Sequence, residues 1–158
     1  MDMNEKSFIP PDCYAFTDGS YNENTKEYGY GVMLFVNGKE SVFKGKGSDT
    51  EYAESRNISG EVFGAMVAVK EAALAGAKEI TLFYDYQGKE EWALGRWKRN
   101  KRLTKTYAEY MDNAMKHIKI NFKHVKGHAK KSDDPEYAFY RSGNNKADKL
   151  AREAVGVD

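Results

Sequence analysis

One cysteine, three prolines, three histidines and two tryptophans occur among 158 residues. Cys13 alone can form neither an internal disulfide nor a cysteine-based metal site. No stretch approaches the roughly 18 apolar residues that would span a bilayer, so a membrane-inserted chain is excluded at this level. Charge of one sign is also lacking. The 25 Lys and Arg residues balance 24 Asp and Glu to leave +1, which indicates neither a polyanion-coating protein nor an acidic disordered tail. Any surface for a polyanion must therefore come from local segregation of charge. Residues 1–12 (MDMNEKSFIPPD) have no apolar run of the secretory kind, and the expectation is a polar leader followed by a domain that resides in the reducing cytoplasm. Neither repeats nor low-complexity tracts are present. With 41% hydrophobic and 13% aromatic residues, a chain of this length forms one domain, expected over residues 13–158.

Hydrophobic periodicity divides that domain. Cys13 to Asp18 alternates with the period of a strand, which Gly19 is expected to end. Tyr28 to Val36 and Lys39 to Gly47 are β-rich and flank Asn37-Gly38, the dipeptide that favours a type I′ hairpin turn. From Ser59, a candidate N-cap, Val62, Met66, Val69 and Ala73 recur at helical spacing up to Gly76, a candidate C′ residue. Glu79 to Asp85 reads as a strand with a continuous apolar centre, suited to a sheet covered on both faces. Helices are expected over Lys89 to Lys98 and Leu103 to Ile118, a strand over Lys119 to Lys126, and a closing helix over Asn144 to Val155. The order is βββαβααβα. Gly127 to Gly143 is left as a long connection.

Four acids sit where solubility does not explain them. Asp18 and Asp85 close apolar strands, Glu61 opens an apolar helix, and Asp148 lies among Ala147, Leu150 and Ala151. If the strands of Asp18 and Asp85 are parallel neighbours, both carboxylates share the edge of the sheet where ligands collect. A helix across that edge would add Glu61. Such a cluster repels itself unless a divalent cation neutralises it, and oxygen-only donors suit Mg²⁺ beside a substrate phosphate. Taken singly, each acid has a plainer reading, as an Asx turn former, a first-turn glutamate or a solvated helix residue.

The combination resembles the type I ribonucleases H, particularly bacterial members with a YDYQG segment. YAFTDGS (Tyr14 to Ser20), RNISGEVFGAMVAV (Arg56 to Val69), LFYDYQG (Leu82 to Gly88), HVKGHA (His124 to Ala129) and NNKADKLA (Asn144 to Ala151) match its motifs in order. The resemblance implies an α/β fold with a five-stranded mixed sheet, three antiparallel strands then two parallel, flanked by helices. It implies Asp18, Glu61, Asp85 and Asp148 as catalytic and metal-binding acids, two Mg²⁺ ions with substrate (Mn²⁺ substituting), and an RNA/DNA hybrid duplex as partner of a monomer. The implied reaction is two-metal hydrolysis of the RNA strand, giving a 5′-phosphate and a 3′-hydroxyl. The sequence departs from the family where YNENTKE (Tyr21 to Glu27) replaces a GNPG-like turn, where Asn145 replaces a common glutamate, and in the length of Lys130 to Gly143.

Recognition of ribose needs partners for the 2′-hydroxyl, and the resemblance places Asn57 and Gln87 at minor-groove positions, with Gly19 and Ser20 beside them. Trp92 matches a position on the DNA strand. Around it, Glu90 to Lys105 carries Arg96, Lys98, Arg99, Lys101, Arg102 and Lys105 with no acid after Glu91, a basic run suited to phosphates or simply to water. Trp97 is the tryptophan assigned to the core. His117 and His124 read as structural, whereas His128, after Gly127, is placed to move a proton or assist product departure. Two other readings use the same residues: a DNA-processing nuclease or transposase-like core, and a non-catalytic hybrid-binding module. Retention of all four acids argues against the module, because a polyanion binder gains nothing from buried negative charge.

Overall fold

A computed structural model describes residues 8–84, 101–125 and 134–157. Its elements are β1 (Cys13–Asn22), β2 (Glu27–Val36), β3 (Lys39–Gly47), α1 (Thr50–Ala53), α2 (Asn57–Leu74), β4 (Glu79–Tyr84), α3 (Arg102–Ala114), β5 (Lys119–His124) and α4 (Pro135–Val155). They form one sheet in the order β3-β2-β1-β4-β5. The first three strands are antiparallel, and β4 and β5 run parallel to β1. The five-stranded mixed sheet expected from the sequence is therefore present. No helix among the described residues is long and apolar enough to cross a membrane.

Period-two alternation sorts the two faces of the sheet. Ala15, Val32, Leu34, Ile80 and Leu82 pack with Val62, Ala65 and Val69 of α2 and with Leu103, Tyr107 and Met111 of α3. Tyr14, Phe16, Met33 and Phe83 face the other way, against Tyr140 and Ala147 of α4. That second layer is largely aromatic: Phe16 and Phe83 stack at 4.9 Å, and Phe139 meets both edge-on. Phe8 joins it, 5.1 Å from Phe139, so packing begins ahead of β1. At the turn joining β2 to β3, Asn37 and Gly38 have φ of 48° and 87°, as a type I′ hairpin requires. Gly76, at φ 87°, follows the Ala75 cap of α2 in the left-handed conformation expected of it.

Several boundaries differ from the sequence reading. β1 does not end at Gly19, because its ladder with β2 continues to Tyr21↔Tyr28 and Asn22↔Glu27; Asp18 is an interior residue of the strand. Asn22 then turns the chain, its Oδ1 accepting the Asn24 and Thr25 amides and its Nδ2 donating to the Val155 carbonyl. Ser59 is not a cap but the fully buried third residue of α2, whose N-cap is Arg56. The last helix begins at Pro135 rather than Asn144. Asp134 caps it by accepting the Glu136 amide at 3.0 Å, and proline is well suited to the first turn, where its missing N–H costs nothing. The supposed long connection thus loses residues 135–143 to α4. The helix expected over 89–98 lies outside the described residues.

Glycine decides how closely the helices approach. A Cβ on Gly60 would stand 1.7 Å from the Gly29 carbonyl oxygen, whereas one on Gly64, a turn later, would meet nothing nearer than 3.4 Å. Gly60→Ala should therefore destabilise the fold by about 2–3 kcal/mol through overpacking. Gly64→Ala should be neutral or slightly stabilising through helix propensity. Urea denaturation of both variants checks the contrast.

Candidate functional site

Asp18 lies opposite Gly31 of β2, on the β1 face that also carries Phe16. It is half-buried, and its Oδ1 accepts the Gly19 amide at 2.8 Å. One residue further, the strand rests directly on α2. A Cβ at Gly19 would fall 2.0 Å from the Asn57 carbonyl oxygen and 2.5 Å from the Glu61 backbone nitrogen. Only glycine permits that seat. It sets the turn from Asn57 to Glu61 beside the residue following Asp18, with Asn57 exposed and Glu61 only 4% exposed.

The opposite face repeats the device. A Cβ on Gly31 would lie 2.1 Å from the Ala147 carbonyl oxygen and 2.6 Å from the Ala151 nitrogen, so the α4 turn containing Asp148 sits on the cross-strand partner of Asp18. Asp148 itself is half-exposed and is held 3.0 Å from the Arg152 guanidinium, one turn on. Three acids from three elements thus have their backbones at the centre of the β1–β2 ladder, with the Glu61 turn seated on one face and the Asp148 turn on the other. They are not closed into a ready-made cage: among the described residues, no three His, Cys, Asp or Glu side chains form a group that could hold a metal ion. As donors, however, they offer only carboxylate oxygens, one set largely withdrawn from water, which is the chemistry a hard divalent cation requires.

Of the other expected residues, Ser20 is half-buried and pairs with Gly29. Asp85, Gln87, Trp92, Trp97 and His128 lie outside the described residues. His117 falls in the exposed turn after α3 rather than within the helix, and His124 ends β5 exposed, with its ring 5.8 Å from that of Tyr84.

The basic run is partly neutralised from elsewhere in the chain, which the local sequence does not reveal. Arg102 pairs with Asp49 at 2.5 Å and Glu51 at 3.4 Å, and its hydrogen bond holds the Asp49 carboxyl below its ordinary pKa. Two further cations beside the site escaped the sequence reading. Arg56 lies over the Tyr21 ring at 5.8 Å and pairs with Glu23 at 3.2 Å; Arg152 holds Asp148. The i,i+4 spacing of Asp148 and Arg152 was the available signal for the second. The first joins a hairpin to a helix junction and left no local trace.

Comparison with known proteins agrees with this architecture. The family model described as RNase H matches residues 10–156. A ribonuclease H of Bradyrhizobium sp. is 33% identical, covering 93% of this chain and 92% of its own length. One from Cereibacter sphaeroides is 30% identical over 90% of this chain and 93% of its own length. Among solved structures, RNase H1 of Halobacterium salinarum NRC-1 superposes with a TM-score of 0.69 at 21% identity, covering 91% of this chain and 97% of the other. LC11-RNase H1, solved in complex with an RNA/DNA hybrid, gives 0.68 at 18% identity, covering 91% and 96%. At those identities the solved structures show the fold alone. The family match reaches from ahead of β1 to the end of α4 and takes in every acid of the site: the chain belongs to the RNase H family.

Proposed function

We propose that this chain is an endoribonuclease that hydrolyses the RNA strand of RNA/DNA hybrids, acting as a cytoplasmic monomer with divalent metal ions. The observation that carries the reading is the seating of Gly19 on the Asn57–Glu61 turn, which brings a buried glutamate to the strand residue next to Asp18. Withdrawing a carboxylate from water beside another is costly, and a bound cation offsets that cost. Relatives of about 30% identity named ribonuclease H, and a hybrid bound by a protein of the same fold, support the substrate.

Asp18, Glu61, Asp85 and Asp148 would hold the metal. Asp85 follows Tyr84 directly, and β4 runs parallel to β1 with Phe83 level with Phe16. In the sequence, Asp18 and Asp85 each come two residues after that paired position. When bound, two Mg²⁺ ions, or Mn²⁺ in their place, supply charge neutralisation at the scissile phosphate and an activated water, giving a 5′-phosphate and a 3′-hydroxyl. The protein's own groups orient the duplex. Asn57, exposed at the start of α2, and Gln87 meet the ribose 2′-hydroxyls, with Gly19 and Ser20 lining the approach; Trp92 packs on the DNA strand. His128 moves a proton to the leaving oxygen or speeds product departure. Arg152, 3.0 Å from one Asp148 oxygen, would orient that carboxylate while leaving its other oxygen for a cation.

Labelled RNA/DNA, DNA/DNA and RNA/RNA duplexes incubated with the protein and Mg²⁺ test the reading. Only the hybrid should be cut, in its RNA strand, and EDTA should abolish the cutting; cleavage of DNA/DNA, or hybrid binding without cleavage, contradicts it. Asp18→Asn and Glu61→Gln should each lower turnover by about a hundredfold or more, since even residues supporting a metal ligand contribute about 10–100-fold. In metal-free buffer the same variants should melt no lower than the parent, because each removes one repelling charge. Added Mg²⁺ should raise the parent's Tm and leave theirs nearly unmoved. A comparable loss of Tm in both variants would assign the acids structural capping roles.

A further inference from the structure

The four residues of α1 are held from two sides. Asp49 caps the helix through Oδ1, which accepts the Glu51 and Tyr52 amides at 3.0 and 3.2 Å. Its other oxygen accepts Arg102 at 2.5 Å, and the same guanidinium reaches Glu51 and lies 4.3 Å over the ring of Tyr52. One side chain at the start of α3 thus grips Asp49, Glu51 and Tyr52 together. The Tyr52 hydroxyl shares a hydrogen bond with Thr106 Oγ1, and its ring meets Tyr28 and Phe63 edge-on. On the far side, the Tyr52 carbonyl accepts Ser59 Oγ at 2.5 Å. Ser59 has no solvent exposure and stands two residues before Glu61.

Between these anchors the chain passes through Arg56, whose backbone takes φ 53° and ψ −128°. A residue with a Cβ is rarely found there, and such a conformation persists only where the surroundings over-determine it. Here they do, since α1 is pinned by Arg102 and the first turn of α2 by Ser59 and by the glycine seat. Isolated exposed ion pairs contribute little to stability. A planar guanidinium shared by two carboxylates and a ring face fixes orientation, which a lysine ammonium at the same place does not.

We propose that Arg102 is a positioning residue for the nuclease site: it fixes α1 through Asp49 and Tyr52, and α1, through the Tyr52 carbonyl and the Ser59 hydroxyl, fixes the turn that presents Asn57 and Glu61. The inference rests on the function proposed above. Arg102 acts at the far end of a relay of contacts, so its loss displaces Glu61 without removing any metal donor.

The test uses Arg102→Lys, Arg102→Met, Ser59→Ala and the Arg102→Met/Ser59→Ala double variant. Each is assayed on labelled hybrid with Mg²⁺ and by amide hydrogen exchange. Both Arg102 variants should lower kcat about tenfold, the scale of a small displacement of a catalytic group. Exchange over residues 57–61 should quicken while β1 and β4 stay protected. The double variant should be no slower than its slower parent, because both changes cut one relay. Full activity in Arg102→Lys, unchanged exchange over 57–61, a lowered Tm with unchanged kcat, or effects that multiply in the double variant would each overturn the proposal. A parent protein that cuts no hybrid would sink the proposed function instead, and the exchange measurement would still decide whether the relay exists.

Discussion

Backbone-to-backbone approach, made possible by missing Cβ atoms, is the constraint on which the rest of the structure depends. Gly60 of α2 meets the Gly29 backbone on one face of the sheet, and the missing Cβ atoms of Gly29 and Gly31 of β2 admit the Ala147–Val155 stretch of α4 on the other. Helices normally lie farther from a sheet than this, held off by side chains. Here both are drawn onto the same short stretch of the β1–β2 ladder, and the acids they carry come with them. A larger residue at either contact would lift a helix and its carboxylate together, so packing and chemistry share one geometric cause.

Around that core the charges are arranged with some economy. Asp148 pairs with Arg152, and Arg56, just before α2, pairs with Glu23 of the β1–β2 turn. Arg102 illustrates the limit of reading charge runs from sequence alone. It belongs to a basic stretch that looks free for phosphates, but its guanidinium is already committed to Asp49, Glu51 and Tyr52, some fifty residues earlier in the chain.

The legible parts of the fold were those governed by local rules. Asn37-Gly38 announces its hairpin, and the apolar spacing of Val62, Met66 and Val69 announces α2. Continuous hydrophobicity marks β4 as an interior strand, and it pairs with β1 and β5, although β1 is the central one. The illegible parts depended on partners distant in sequence. Gly19 reads as a strand breaker, yet it is the residue that lets β1 continue beneath a helix. Ser59 reads as a cap, yet its hydroxyl serves a carbonyl seven residues back. The early start of α4 is a different case, for Asp134-Pro135-Glu136 is a sound local helix-start signal set within an otherwise polar segment of loop-like composition. Of the site, the acids are legible from motif and position, whereas the contacts that seat the Glu61 and Asp148 turns on the Asp18 strand pair depend on the sheet order.

The central claim, that Asp18, Glu61 and Asp148 are brought to a shared divalent ion by glycine-mediated packing, is tested most directly by titrating the protein with Mn²⁺ and following paramagnetic broadening of assigned amide signals. The account predicts that the amides of Gly19, Glu61 and Asp148 broaden together, at the same low Mn²⁺ concentration, ahead of those in β3 and β5. Broadening of one of the three alone, or of the three at separate concentrations, would contradict it.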